Sequence, residues 1–390
     1  MKAEERPILI WVTHVLGIGH YQRAMALAGA LAQAGLHPVV ASGGVPVPAP
    51  LPQGVVLKQL PAIRSGDNGY TNLIDEAGRE AGEDLFRRRT EALLNLYRVL
   101  RPAMIITELY PFGRRRFADE LDGLLALATA EGRDLRPKIV CSVRDILQPP
   151  SNAQKIASVR RLIADYDAIL VHGDPNLVPV ERSLPLVAEF ADRIRYTGYM
   201  RAGRSRQSGG KDGLNEVIVS AGGGAVRREL LVAAAAARSL SAAAGLTWRF
   251  LIGHNMPAGE LAAIKGANDP GVIVEPARPD FPELLKRARL SISQAGYNTC
   301  VDILQARVPA VLVPYRGPAG GEIEQPLRAK ILEEKGLAFA VDPGELTPLR
   351  LARAIDDALM LNVLSTPRPS LDGARRSAAI IIQMLVEPVT

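Results

Sequence analysis

Residues 290–329 read LSISQAGYNTCVDILQARVPAVLVPYRGPAGGEIEQPLRA, and the succession of strand and helix signals within them decides the fold. Leu290 and Ile292 alternate with serines as in a short strand, and Gln294-Ala295-Gly296 turns the chain. Asn298 or Thr299 can cap a following helix that carries Asp302, and Val308-Pro309 ends it before a second apolar run from Ala310 to Val313. A loop rich in Gly and Pro leads to Glu324-Gln325 at the head of another helix. Two successive strands therefore deliver a helix start with polar side chains to the same sheet edge. The carboxyl edge is where open α/β sheets bind ligands. A helix N-terminus offers unpaired N–H groups and a positive dipole end, which suit phosphate. Asp302 and the Glu324-Gln325 pair suit hydroxyl-rich groups, because each carboxylate or amide can take two hydroxyls.

At 390 residues the chain exceeds one ordinary core, so two domains are expected. A hydrophobic share of 47% with 5% aromatics describes an Ala/Leu/Val-rich globular protein rather than a disordered one. The longest apolar runs, 230–237 and 378–386, fall well short of the roughly 20 residues that span a bilayer. The start, MKAEERPILIWV, does not read as a signal peptide. Cys141 and Cys300 form neither a disulfide framework nor a metal cluster, so a cytoplasmic location is expected. The net charge is +6, with arginines clustered at 87–89, 114–116 and 201–206. Scarce aromatics and the lack of a recognisable module argue against nucleic acid. Solvated helix faces, an anionic membrane surface or a phosphorylated substrate all remain compatible with the charge.

Upstream, residues 8–12 read as a buried strand leading through Gly17-Ile18-Gly19-His20 into a helix over 21–34, with a second strand at 37–41. A dinucleotide fingerprint does not fit, since Gln22 holds the third glycine position and Ser42-Gly43-Gly44 supplies no acid for a ribose. The turn instead brings His20 to a helix start, where an imidazole can take a proton near neutral pH. A helix-capping or packing histidine is the alternative. A helical stretch is expected from about Leu73 to Leu100. The strand at 104–107 ends in Glu108 and a loop with Arg114, the strand at 138–142 in Arg144-Asp145, and the strand at 168–171 in His172-Gly173-Asp174. Polar strand ends gathered at one edge suit an acceptor site, with Glu108 the second candidate base and Arg114, Arg144 and Asp145 candidate contacts. Ion pairs that merely hold the loops are the alternative.

After a strand at 194–197, residues 202–213 read as a linker. A new α/β unit follows: strand 217–219, Gly222-Gly223-Gly224, a helix over 226–244 and strands at 247–252 and 272–274. The three glycines let backbone N–H groups approach an oxyanion. Strand 338–341, helix 348–360 and a last helix from about Asp372 to Leu385 complete the chain.

These motifs resemble the GT-B glycosyltransferases, in particular the peptidoglycan N-acetylglucosaminyltransferase group with its family 28 C-terminal domain. The likeness is carried by Ser293-Gln294-Ala295-Gly296, Asp302, Arg307-Val308-Pro309, Val311 to Pro314 and Glu324-Gln325. Gly17-Ile18-Gly19-His20 followed by Arg23-Ala24 is similar to the group's first loop. The resemblance implies two Rossmann-like domains facing a cleft: an acceptor domain over 1–201, a linker over 202–213, a donor domain over 214–365, and a tail over 366–390 whose helix returns to the first domain. It implies transfer of a sugar from a nucleoside-diphosphate sugar, UDP-sugar favoured, to a hydroxyl acceptor, with inversion and without an obligatory metal. The nucleotide sugar is a co-substrate, and no cofactor is expected. Gly222 to Gly224, Arg278, Gln294, Ala295, Gly296, Asn298, Thr299, Asp302, Glu324 and Gln325 then fall at the donor, and Gly17, Gly19, Arg114, Arg144 and Asp145 at the acceptor. Arg201 corresponds to a phosphate-facing arginine, and Arg278 stands where the group has an aliphatic residue. A nucleotide-sugar epimerase or hydrolase on the same fold, and a non-catalytic nucleotide-sugar-binding protein, are the rival readings. Peripheral contact with the inner face of a membrane is a further expectation.

Overall fold

Ile8–Val12 (β1) is an unbroken apolar pentapeptide, as a strand buried on both faces requires, and it is 0% exposed throughout. It lies third in a seven-stranded parallel sheet. In the computed structural model, which describes residues 5–15, 17–66, 69–132, 135–200, 210–221, 228–253, 270–317 and 320–386, the chain divides into two units. The first takes Met1–Pro175, Pro179–Gly203 and Asp372–Thr390, the second Asn176–Val178 and Arg204–Leu371. The other strands of the first sheet are Pro38–Ser42 (β2), Val56–Gln59 (β3), Met104–Glu108 (β6), Lys138–Arg144 (β7), Ala168–His172 (β8) and Ile194–Tyr196 (β9), in the order β3-β2-β1-β6-β7-β8-β9. All pairs are parallel, so every strand ends at the same edge. Helices Gly19–Gln33 (α1), Glu83–Leu100 (α2), Ala118–Ala130 (α3) and Ala153–Ile163 (α4) belong to this unit.

The stretch expected to be helical from Leu73 breaks into two elements. Arg64–Gly66 (β4) and Gly69–Ile74 (β5) pair as an antiparallel hairpin, and α2 begins only at Glu83. The reason is local. Asp75 accepts from the Arg79 backbone and closes a turn, Gly78 takes a φ of +79°, and Glu83 and Asp84 supply the negative first turn that a helix dipole favours. The arginines at 87–89 also part company. Arg87 and Arg88 are exposed and pair with Asp84 and Glu91. Arg89 is fully buried, donates to both oxygens of Glu120 at 2.9 and 2.8 Å, and reaches the Gly43 carbonyl.

The second sheet holds Val217–Ser220 (β10), Trp248–Ile252 (β11), Val272–Pro276 (β12), Leu290–Ser293 (β13), Ala310–Leu312 (β14) and Phe339–Ala340 (β15). Their order is β12-β11-β10-β13-β14-β15, again all parallel. Val217, Val219, Phe250, Ile292 and Val311 pack on one face against Arg228–Ala237 (α5) and Pro348–Leu359 (α9). Phe281–Arg287 (α6), Tyr297–Ala306 (α7) and Glu324–Glu334 (α8) are the remaining helices of this unit. Helix α5 is shorter than the 226–244 expected, passing into a 3₁₀ turn at Arg238–Leu240. Neither Asn298 nor Thr299 caps α7: Gly296, in extended backbone, holds that position without a side-chain cap.

The last helix, Gly373–Val386 (α10), belongs with the first unit. Its Ala378, Ile381 and Leu385 share a core with Leu27, Ala28 and Leu31 of α1. Gly373 is required at the junction, because a Cβ there would meet the Gly198 carbonyl oxygen at 2.5 Å while its N–H donates to Tyr199 at 3.0 Å. Among the described residues no helix is long and apolar enough to cross a membrane.

Candidate functional site

Strand β6 ends at Glu108, and the next residue, Leu109, adopts φ +71°, a left-handed conformation that branched side chains rarely take. The carboxylate is thereby held at the sheet edge, 1% exposed, among three donors. His20 Nδ1, at the start of α1, lies 3.0 Å from Oε1, and Arg23 Nη2 donates to the same oxygen. Ser142 Oγ, on β7, donates to Oε2 at 2.7 Å. Burial by itself would raise this carboxyl, but the Arg23 guanidinium and the His20 and Arg23 hydrogen bonds outweigh it and hold it well below the usual carboxylate range. Glu108 therefore stays ionised and can only accept. Facing an ionised acceptor, His20 Nδ1 carries a proton and Nε2 keeps the lone pair, while Arg23 Nη2, 3.1 Å from Nδ1, turns its proton to the same carboxylate oxygen. Burial, then the positive charges of Arg114 and Arg144, push His20 well below its ordinary value against the opposing Glu108 bond, so the ring is neutral at pH 7. Its side chain is 14% exposed.

Gly17 precedes this helix with φ +77°, a conformation open to glycine at little cost, and Gly19 is the first residue of α1. Arg114 and Arg144 lie close enough to His20 to shift it, so the edge gathers two of the three charged acceptor candidates. Asp145 is fully buried, with the Tyr199 hydroxyl 3.5 Å from Oδ2. An Asp-x-Asp sequence also occurs away from the strand ends, at Asp165-Tyr166-Asp167. It precedes β8 at the opposite edge, where Asp167 accepts from the Ile139 N–H at 2.7 Å and faces Arg136.

In the second unit β13 and β14 are neighbours, so Gln294-Ala295-Gly296 and the head of α8 emerge side by side. Asn298 and Asp302, four residues apart on α7, share a helix face, with Thr299 beside them. Gln325 Oε1 accepts from the Tyr315 N–H at 3.0 Å and fixes the loop after β14. The Glu324 N–H donates to Glu322 Oε1 at 2.6 Å. A residue the sequence reading missed joins the two turns. Arg328, 2% exposed, donates from Nη1 to the Ala295 carbonyl at 2.8 Å, lies 4.0 Å from Glu324 Oε2 and rests over the Tyr297 ring. The available signal was its position one turn after Glu324 on α8.

Arg278 has another occupation. Its guanidinium forks onto Asp280 at 2.8 and 2.7 Å and reaches Asp212 and Glu275. With Arg249 and Glu216 it forms an ion-pair network, so four of its donors are already taken by carboxylates. Gly222, Gly223, Gly224 and Arg201 lie outside the described residues, as do 202–209 of the expected linker.

Residues 251–370 match the glycosyltransferase family 28 C-terminal domain. The UDP-N-acetylglucosamine–N-acetylmuramyl-(pentapeptide) pyrophosphoryl-undecaprenol N-acetylglucosamine transferase of Crocosphaera subtropica is 33% identical over 91 residues, 23% of this chain. That similarity spans 26% of the relative's own length. MurG of Acinetobacter baumannii superposes with a TM-score of 0.59 at 18% identity, over 97% of this chain and 99% of its own. Phytolacca americana UGT2, complexed with UDP-2fluoro-glucose and pterostilbene, gives 0.60 at 14% identity, over 99% and 94%. At these identities the structural likeness concerns the fold, whereas the family match concerns the second unit, in which the turn after β13 and the head of α8 lie. The chain has the GT-B fold, and its match to the glycosyltransferase family 28 C-terminal domain is confined to residues 251–370.

Proposed function

We propose that this chain is a glycosyltransferase that moves a sugar from a UDP-sugar to a hydroxyl acceptor, with inversion and without an obligatory metal. The observation that carries the proposal is the family 28 match over residues that include Gln294-Ala295-Gly296, Asp302 and Glu324-Gln325. The similar proteins favour the uridine nucleotide, since one is a UDP-N-acetylglucosamine-dependent transferase and another is bound to UDP-2fluoro-glucose. In this reading the edge of the second sheet holds the donor: Asp302 takes the ribose, and Glu324 with Gln325 takes the sugar. Gly222 to Gly224 hold the diphosphate.

The edge of the first sheet supports the chemistry. His20 Nε2 takes the proton of the acceptor hydroxyl as its oxygen forms a bond to the anomeric carbon. The bond from that carbon to the diphosphate oxygen breaks, and the nucleoside diphosphate leaves with the electron pair. Attack from the face opposite the leaving group inverts the anomeric centre. Glu108, ionised and bonded to Nδ1–H, sets the tautomer and stabilises the imidazolium that forms. Its role is to position the base, because its lone pairs already serve His20, Arg23 and Ser142.

The test is donor binding followed by product analysis. Thermal shift with uridine-, guanosine-, thymidine- and adenosine-diphosphate sugars should give a shift with the uridine series. A ligand at 100 times its Kd stabilises the native state by about 2.7 kcal/mol. The shift should vanish in Asp302→Ala. No shift with any of the four series overturns the donor site. Products with lipid-linked, small-molecule and polysaccharide acceptors, with and without anionic vesicles, identify the acceptor class and test a peripheral membrane contact. Free sugar or an altered nucleotide sugar as sole product would replace the transferase by a hydrolase or an epimerase.

A further inference from the structure

Behind Glu108 the polar residues do not stop. Ser142 Oγ lies 2.9 Å from His172 Nε2, and His172 Nδ1 lies 2.9 Å from Thr197 Oγ1. Ser142 is 2% exposed, and His172 and Thr197 are 0% exposed. The series advances one strand at a time across the sheet, from α1 beyond β1 to β6, β7, β8 and the end of β9. Nothing in the function proposed above uses its far half.

We propose that Ser142 and His172 are positioning residues for the His20–Glu108 pair: a one-way chain of hydrogen-bond donors, running from Thr197 through His172 and Ser142, fixes the Glu108 carboxylate and with it the tautomer of His20. The inference rests on the reading of His20 as the proton acceptor. The directions follow from one charge. An ionised carboxylate can only accept, so the single Ser142 proton points at Oε2. The Ser142 oxygen must then accept from His172, which places the His172 proton on Nε2 and leaves Nδ1 an acceptor for the Thr197 hydroxyl, whose single proton the Gly198 and Val171 carbonyls at 3.0 and 3.3 Å also compete for. At the other end His20 Nδ1–H and Arg23 both donate to Oε1. His20 and His172 therefore carry opposite tautomers, Nδ1–H and Nε2–H.

Burial gives the chain its strength, because hydrogen bonds in a low-dielectric interior reinforce one another and burial keeps solvent from redirecting them. With both oxygens held, the carboxylate plane cannot rotate, and the His20 ring is fixed in turn. His172 stays uncharged in this setting, its value lowered to about 3 by burial and then by Arg23. The charged and titratable groups acting on the assembly are Arg23 on α1, Glu108 on β6, Arg114 in the following loop, Cys141 and Arg144 on β7, and His172 on β8.

The chain has five histidines, few enough to resolve their imidazole nitrogens by NMR in the full-length protein labelled with nitrogen-15. Long-range couplings should report Nδ1–H for His20 and Nε2–H for His172 in the unaltered protein. Ser142→Ala should give His20 a mixed tautomer and move its titration further downward, since a carboxylate freed at Oε2 can rotate and weaken the Glu108 bond that raises the ring. Ser142→Thr, which keeps the hydroxyl, should restore both, and His172→Phe should move His20 in the same direction as Ser142→Ala. The His37 signal serves as the check on folding. In turnover of a UDP-sugar, Ser142→Ala should lower kcat by about ten-fold or more at unchanged donor KM, since a misplacement of about 1 Å can cost ~10²-fold. A His172 proton on Nδ1 in the unaltered protein, or a His20 tautomer and titration that ignore Ser142→Ala, overturns the chain. The expected tautomers in a protein that turns over no nucleotide sugar would uphold the chain and overturn only the function on which its purpose rests.

Discussion

His20 and Glu108 stand 88 residues apart, and their functions separate cleanly by substitution. His20→Ala removes the proposed base, and loss of a positioned base costs ~10²–10⁴-fold in rate. The donor-induced thermal shift should survive, because no donor contact is assigned to that edge. Glu108→Gln has a different signature. The amide oxygen can still accept from His20, but the charge that balances buried Arg23 is gone. Breaking a buried ion pair by removing one partner costs about 3–5 kcal/mol, so urea unfolding should record a large loss of stability together with the loss of rate. Equal stability in Glu108→Gln and the parent would show that Arg23 is neutralised elsewhere. The pH dependence carries a sign as well. A histidine pushed below its ordinary 6.5 stays neutral, and so able to accept a proton, under mildly acid conditions. The acid limb of kcat/KM, which reports the free enzyme, should therefore lie below pH 6.5. An acid limb at or above 6.5 would assign the proton transfer to another group.

Helix α8 carries the next prediction, because its first two turns connect both halves of the proposed donor edge. Arg328 donates to the Ala295 carbonyl and stands beside Glu324, so it ties the turn after β13 to the head of the helix. Arg328→Met leaves that buried carbonyl short of a donor, at a cost of about 1–3 kcal/mol. Arg328→Lys supplies a single compact ammonium in place of a planar fork, and cannot meet both partners in the same way. Both variants should raise donor KM and shrink the donor thermal shift, while leaving the His20 titration in the other unit untouched. Normal donor binding in Arg328→Met would reduce Arg328 to a packing role. The same elements show what was legible in the sequence. Parallel strands buried on both faces are near-continuous apolar runs, so β1, β6, β7 and β8 could be read directly. Strand β3 is largely exposed at an edge and has no such run, β4 is too short to show one, and the end of β5 falls in the stretch expected to be helical from Leu73. The cap of α7 depended on the backbone of Gly296 rather than on the side chains of Asn298 or Thr299. His20 and Glu108 could each be read as a candidate, but their pairing required the strand order that places β1 beside β6. Ser142 and Arg328 are invisible before the chain folds, since each acts through a partner at least 30 residues away, and His172 could be read only as a polar strand end.

At the scale of the molecule, the histidines divide unequally between the units. His14, His20, His37 and His172 lie in the first, with His14, His20 and His172 shifted downward, while the second holds no histidine among its described residues. Burial is the largest cause in each case, so folding of the first unit keeps these rings uncharged. The consequence for stability has a definite direction. Below about pH 6.5 the unfolded chain binds protons that the folded unit refuses, and stability falls with pH until the folded value is reached. For His172 that window runs from 6.5 down to about 3. One pKa unit corresponds to about 1.4 kcal/mol, so His172 alone removes ~2 kcal/mol between pH 6.5 and 5. Glu108 works in a lower window: its depressed value adds stability above the ordinary carboxylate range and loses it as pH falls through that range. At pH 5 the histidine contribution therefore stands almost alone. Hydrogen exchange, corrected for intrinsic rates, should show protection falling in β1, β6, β7 and β8 between pH 7 and 5 and holding in β10, β13 and β14. Such a difference would make the first sheet the acid-sensitive half of the fold, for the same reason that its edge holds a neutral histidine against an ionised carboxylate. No loss in the first sheet would mean that the three imidazoles take up protons without unfolding, and would remove the physical basis for His20 as a neutral base.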